Sequence, residues 1–157
     1  MSAHTASRPP NADHPVILDF LRDPSVPMPV NSSPVSRDLS AVLLGWDADA
    51  RCLAIGFTAS AAHLQGNGAV HGGVLATMLD FGLAFATLAC LQPPRVAVTA
   101  TLNLQYERGL LAPAPLEVQA RVDRLGGRMA FASARIACAE TPGDVLARAT
   151  ACLALVG

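Results

Sequence analysis

The sequence predicts an α+β fold in which a curved antiparallel sheet wraps around one long central helix. Three patterns carry that expectation. Residues 74–91 form a proline-free run rich in Leu, Ala and Met, enough for about five helical turns. In residues 95–107, Val96, Val98, Ala100, Leu102, Leu104 and Tyr106 alternate with Ala97, Thr99, Thr101, Asn103 and Gln105, the period of a strand. Segments 116–125, 128–138 and 145–156 then follow as further strands with no helical pattern between them.

The other elements fall around this frame. Residues 1–14 are polar and proline-bearing and read as a disordered lead, followed by a short helical turn at 16–21 closed by Asp23-Pro24. Pro24, Pro27, Pro29 and Pro34 exclude a central strand and make 24–34 an extended connector. Residues 1–40 are therefore expected as a flexible N-terminal lead with a short helix, and 41–157 as the folded domain. Segments 41–46 and 52–58 suit a hairpin around 47–51, and a glycine-rich loop at 66–73 opens the helix. Gln92-Pro93-Pro94 stops the helix, while Gly126-Gly127 and Thr141-Pro142-Gly143-Asp144 are turns. The expected order is hairpin, helix, then four strands in a meander.

Composition narrows the function classes. With 157 residues, 52% hydrophobic and 15% charged, the chain has the size of one domain and ample apolar surface to bury. A net charge of -1 and 4% aromatics point away from nucleic acid and anionic membranes. So few surface charges suggest that part of the surface is an interface. Cys52, Cys90, Cys138 and Cys152 lack metal or redox spacing and are expected as reduced thiols of a cytoplasmic protein. The N-terminus lacks the apolar stretch of a signal peptide. Residues 72–91 could span a bilayer by length, but Asp80 at the centre would cost about 2.5–3.5 kcal/mol, so a core helix is expected.

The helix and its opening loop hold the candidate chemistry. Gly73, Thr77, Asp80, Ala84 and Thr87 follow spacings that line one narrow helical stripe, and Asp80 is the only formal charge between Cys52 and Pro94. A carboxylate there needs a partner or a raised pKa. Gly72 and Gly73 at the helix N-terminus expose backbone N–H groups suited to a polarised carbonyl or an oxyanion. His63 and His71 read as loop residues, with His71 fixing the loop through a ring hydrogen bond. His4 and His14 lie in the lead. No histidines have metal-ligand spacing and no GxSxG turn occurs, so neither a metal site nor a serine triad is expected.

The pattern Gln65-x-x-Gly68-x-x-His71-Gly72-Gly73, with Asp80 seven residues after the second glycine, resembles the hotdog-fold acyl-CoA thioesterases of the PaaI-like and 4-hydroxybenzoyl-CoA type. VAVTATLNLQYERG and GGRMAFASARI resemble the strand after the helix and a late strand of that family. The likeness runs from about residue 41 to 156. It implies that Gly72 N–H polarises the thioester carbonyl and that Asp80, reaching the site from a partner subunit, acts as general base or nucleophile. Gln65 would position the carbonyl or the water, in a place where Asn is common, and Thr99 would hold the lytic water. Some relatives carry a Thr one turn after the acid, where this chain has Ala84.

His71, Gly73, Asn67, Thr77 and Ala84 are then candidates to line the substrate, and Arg108, Arg124 and Arg128 to meet the phosphates of coenzyme A. The resemblance implies a homodimer with shared sites, assembled into a tetramer, that hydrolyses a small or aromatic acyl-CoA. It implies no cofactor, since coenzyme A is part of the substrate. A hotdog dehydratase and a non-catalytic acyl-CoA-binding module are the alternatives. The first would need a catalytic histidine, and the second would have no use for a buried charge at Asp80.

Overall fold

The computed structural model describes residues 11–111 and 113–157; His4 lies outside them. Helix α1 (Asp13–Phe20), strand β1 (Met28–Pro29) and the short helix α2 (Pro34–Asp38) precede β2 (Val42–Asp47) and β3 (Cys52–Thr58). A 3-10 turn at Ala61–His63 leads to α3 (Gly72–Ala89), then β4 (Val96–Tyr106), β5 (Pro115–Leu125), β6 (Met129–Cys138) and β7 (Val145–Val156). The strands form one seven-stranded sheet in the order β1-β2-β3-β5-β6-β7-β4, antiparallel throughout. The sheet around a central helix is the expected architecture. Alternation alone misplaces one strand: β4 pairs with β7 and forms the far edge, so of the four strands after the helix only β5, β6 and β7 are a meander. Periodicity identifies a strand but not its neighbour. Here α3 carries the chain across the sheet before β4, and after β4 the chain returns so that β5 pairs with β3.

The sheet bends at bulges in β2, β4, β5 and β7 and so wraps α3. Its inner face presents Leu53, Ile55, Val118, Ala120, Ala132, Ile136, Ala149 and Leu153, all buried against Leu75, Met78, Leu79, Leu83 and Phe85 of the helix. Fully burying each large side chain contributes about 1.5–3 kcal/mol. Gly82 sits where helix and sheet come closest: a Cβ there would lie 2.5 Å from Val118 Cγ1. Although α3 is long and apolar enough to cross a membrane, it is the core helix of this sheet.

The N-terminal region departs from the expectation of a flexible lead. Ile17, Phe20, Val30 and Leu39 are buried in the core cluster, so residues 13–40 pack on the domain. His14 Nε2 lies 2.8 Å from Arg95 O, and the Arg95 guanidinium donates to the carbonyls of Gly127, Leu155 and Gly157. The prolines do bar a central strand: β1 is a two-residue edge containing Pro29.

Candidate active site

Helix α3 begins two residues earlier than its apolar pattern, because His71 caps it. The His71 Nδ1 accepts Gly73 N–H at 2.9 Å, and the His71 carbonyl accepts Val74 and Leu75 N–H. Among the described residues this leaves Gly72 N–H as the one first-turn donor with no acceptor. The expectation that Gly72 and Gly73 both offer free N–H groups is corrected accordingly: the imidazole beside it takes the Gly73 donor. Positive dipole and open donor coincide at Gly72.

His71 is itself held. Its N–H donates to the His63 carbonyl at 2.8 Å. His63 is buried, accepts Ser60 N–H at Nδ1 and faces Asp38 Oδ2 at 2.9 Å from Nε2, so that nitrogen carries the proton in this tautomer. Tyr106, at the end of β4, donates its hydroxyl to the Gly72 carbonyl at 2.8 Å. Sequence reasoning passed over this contact, since Tyr106 read only as one more alternating strand residue.

Asp80 lies two turns along α3, half-buried, with Oδ1 accepting the Thr99 hydroxyl at 2.7 Å. Thr99 can make that bond because of a bulge between Thr99 and Thr101. Before the bulge Ala97 and Thr99 face the helix; after it Leu102 and Leu104 do. Uniform alternation had put Thr99 and Leu102 on opposite faces. Asp80 Oδ2 has no hydrogen-bond partner among the described residues. Around the acid, Gly73, Thr77, Phe81 and Ala84 form the stripe of α3 that its own sheet leaves partly uncovered. Thr77 donates to the Gly73 carbonyl and buried Thr87 to that of Leu83, so both hydroxyls serve the helix backbone.

Gly72 N–H and Asp80 cannot serve one carbonyl within one protomer. Eight residues of α-helix separate them by about 12 Å along the axis. Gln65 and Asn67 lie on the exposed loop closed by the Leu64–Val70 bridge. Gln65 N–H bonds the Ala69 carbonyl, and Asn67 Oδ1 accepts Ala69 N–H, so neither contacts Asp80 in its own chain.

The arginines divide between the two ends of the sheet. Arg108 follows Tyr106 at the Gly72 end and pairs with Asp144 at 2.7 Å. Arg124 and Arg128 flank the β5–β6 turn at the opposite end, where Met129 lies against Ala154 and Val96 against Val156. The two ends are on the order of 30 Å apart along β4. Neither Arg124 nor Arg128 has a carboxylate partner among the described residues. A cavity of about 670 Å³ opens on the outer face of the sheet, lined by Arg121, Arg135, Arg148 and Gln119, away from Asp80 and Gly72. No three His, Cys, Asp or Glu side chains gather to hold a metal among the described residues.

Comparison with known proteins gives this geometry a family. Residues 67–143 match the family described as the thioesterase superfamily. A Pseudomonas aeruginosa protein provisionally named an esterase, PA0474, is 38% identical over 109 residues, which is 69% of this chain and 81% of that protein. The mouse acyl-coenzyme A thioesterase THEM4 is 36% identical over 75 residues, covering 47% of this chain and 31% of its own length. A crystal structure from Ralstonia eutropha JMP134, provisionally described as a thioesterase related to phenylacetic acid degradation, superposes with a TM-score of 0.75 at 29% identity. That alignment covers 88% of this chain and 98% of the other. With a hotdog sheet around its helix, the chain belongs to the thioesterase superfamily and is a thioester hydrolase.

Proposed function

We propose that the protein hydrolyses a small or aromatic acyl-CoA at sites shared between two antiparallel copies. The observation that carries this reading is the separation of Gly72 N–H from Asp80 along one helix. A second copy, turned end for end, brings the partner's Asp80 to this chain's Gly72.

The edge of the sheet supports that pairing. β4 has eleven residues and no charge or proline, whereas the other edge, β1, is short and contains Pro29. A long uncharged edge is a template for another strand. Joining β4 to its copy would place Asp80, tied to β4 through Thr99, beside the partner's helix. It would also carry the partner's Arg124 and Arg128 toward this chain's Gly72 end. Those two arginines suit the coenzyme A phosphates better than Arg108, which Asp144 already occupies. On the outer face, exposed Val98 and Phe131 with half-buried Met129 and Ala154 form an apolar patch suited to joining two dimers into a tetramer. The four free cysteines suit a reducing, cytoplasmic compartment.

In the reaction, Gly72 N–H donates to the thioester oxygen as negative charge develops on it. The partner's Asp80 removes a proton from water through its open Oδ2 as the water oxygen bonds the acyl carbon, or attacks that carbon itself. The partner's Thr99 donates to Oδ1 and keeps lone pairs to accept from the water. Gln65 orients the carbonyl from its loop. On the base route the C–S bond then breaks and the sulfur takes up a proton, giving free acid and thiol; on the nucleophile route the same cleavage leaves a mixed anhydride on Asp80, which water hydrolyses to the free acid and the restored carboxylate. Phe81, next to Asp80 in the chain and partly exposed, stacks on Phe85 at 6.2 Å and meets Phe57 edge-on at 6.3 Å between ring centroids, and suits an aromatic acyl group. A dehydratase is disfavoured because His71 Nδ1 is engaged by Gly73 N–H.

The test is thiol release from esters spanning acetyl-, phenylacetyl- and hydroxybenzoyl-CoA. Turnover that favours one of these supports the reading. No release from any of them overturns it.

A further inference from the structure

Gly72-Gly73 is the most flexible dipeptide that could have been placed at a catalytic helix N-terminus, since glycine resists no backbone rotation. A donor that stabilises developing charge must nevertheless be preorganised. The geometry points to Tyr106 as the positioning residue that resolves this conflict, an inference that rests on Gly72 being the carbonyl donor.

The peptide joining Gly72 to Gly73 is held at both of its polar ends. Its carbonyl oxygen accepts the Tyr106 hydroxyl at 2.8 Å, and its N–H donates to His71 Nδ1 at 2.9 Å. A peptide plane is rigid, so fixing both ends fixes the rotation about the Gly72 Cα on its C-terminal side. The preceding plane, which carries the open Gly72 N–H, shares that Cα. Its carbonyl, that of His71, is anchored by accepting Val74 and Leu75 N–H. The two planes flanking Gly72 are thus held while its own N–H stays free.

The Tyr106 ring also explains the residue type at 72. A Cβ there would lie 3.3 Å from Tyr106 Cζ and 3.4 Å from Cε1 and Oη, so any side chain would press on the clamp. Tyr106 has a firm base for this role: it pairs with Ala147 of β7, and the following Glu107 N–H bonds the Leu146 carbonyl. Tyr106 is 52% exposed, more than packing alone would ask of a tyrosine whose hydroxyl is bonded inward.

The experiment measures the carbonyl stretch of a bound acyl-CoA by infrared difference spectroscopy in Asp80→Asn, which slows hydrolysis, with and without Tyr106→Phe. Steady-state kinetics of Tyr106→Phe alone accompany it. Tyr106→Phe removes one oxygen from a half-exposed side chain, so the fold should survive, and an unchanged melting temperature checks this. The expected result is a downshifted carbonyl in Asp80→Asn that returns toward the solution value when Tyr106→Phe is added. The kinetic counterpart is a fall in kcat of about tenfold with little change in KM, as for a bond made mainly in the transition state. A downshift that persists with Tyr106→Phe, together with unchanged kcat, overturns the role of Tyr106 and leaves that of Gly72 standing. No downshift in Asp80→Asn itself overturns the Gly72 reading and the clamp with it.

Discussion

Thr99 donates its hydroxyl to Asp80 Oδ1 across 2.7 Å, tying the edge strand to the only acid of the central helix. A hydrogen bond to a charged group contributes about 1.5–3 kcal/mol. Thr99→Val keeps the shape and removes the donor, so kcat/KM should fall by roughly 10- to 100-fold. Thr99→Ser should recover most of the loss. Thiol-release kinetics on the three proteins check this.

The shared-site reading makes β4 its weakest point. Ala100 is exposed within the bulge and has no partner residue on β7, so a charge there falls on the free edge. Ala100→Lys should give monomers by sedimentation velocity and abolish thiol release, while far-UV circular dichroism stays that of the wild type. A dimer of full activity would be the contrary result.

Gly82→Ala tests the closeness of helix and sheet. Alanine favours a helix by about 1 kcal/mol over glycine. Its methyl, however, would lie 2.5 Å from Val118 Cγ1 and in contact with Ala120 and Ile55. Overpacking of this kind costs about 1–3 kcal/mol, so the clash outweighs the propensity. A fall in Tm of about 2–8 °C is expected by calorimetry.

Two thiols give stability a pH dependence. Burial is the main cause raising Cys52 above its ordinary value of 9.0, with Asp47 adding to it, and burial likewise raises Cys90. The folded state therefore favours the neutral thiol. That contribution is complete below the ordinary value and is lost as the pH climbs through it toward the folded value. Urea midpoints at neutral and alkaline pH should drop more for the wild type than for the Cys52→Ala, Cys90→Ala double variant. Both thiols should also react slowly with a maleimide near neutral pH.

Much of this was legible in the sequence, for reasons particular residues show. Asp80 stood out because it is the only charge between Cys52 and Pro94, and the Gly72-Gly73 pair marked the start of α3. Strand alternation located β4 to β7 within a residue or two. Which strand neighbours which was not legible, since pairing depends on where α3 leads the chain and on the return from β4 to β5. The bulge at Ala100 was equally hidden, and it is what lets Thr99 and Leu102 share a face. The packing of residues 13–40 escaped because four prolines masked the few anchors, Ile17, Phe20 and Val30, that bury them. The Tyr106 contact with Gly72 spans 34 positions and has no local signature.

The proposed site turns on the Asp80 carboxylate carrying the hydrolysis. The most direct test is thiol release from the preferred acyl-CoA by wild type and Asp80→Asn, with a melting curve to show that both are folded. Asn keeps the size and can still accept from Thr99 but neither takes a proton nor attacks. A fall in kcat of at least about 100-fold is expected, the range of a lost general base. Equal rates in the two folded proteins would contradict it.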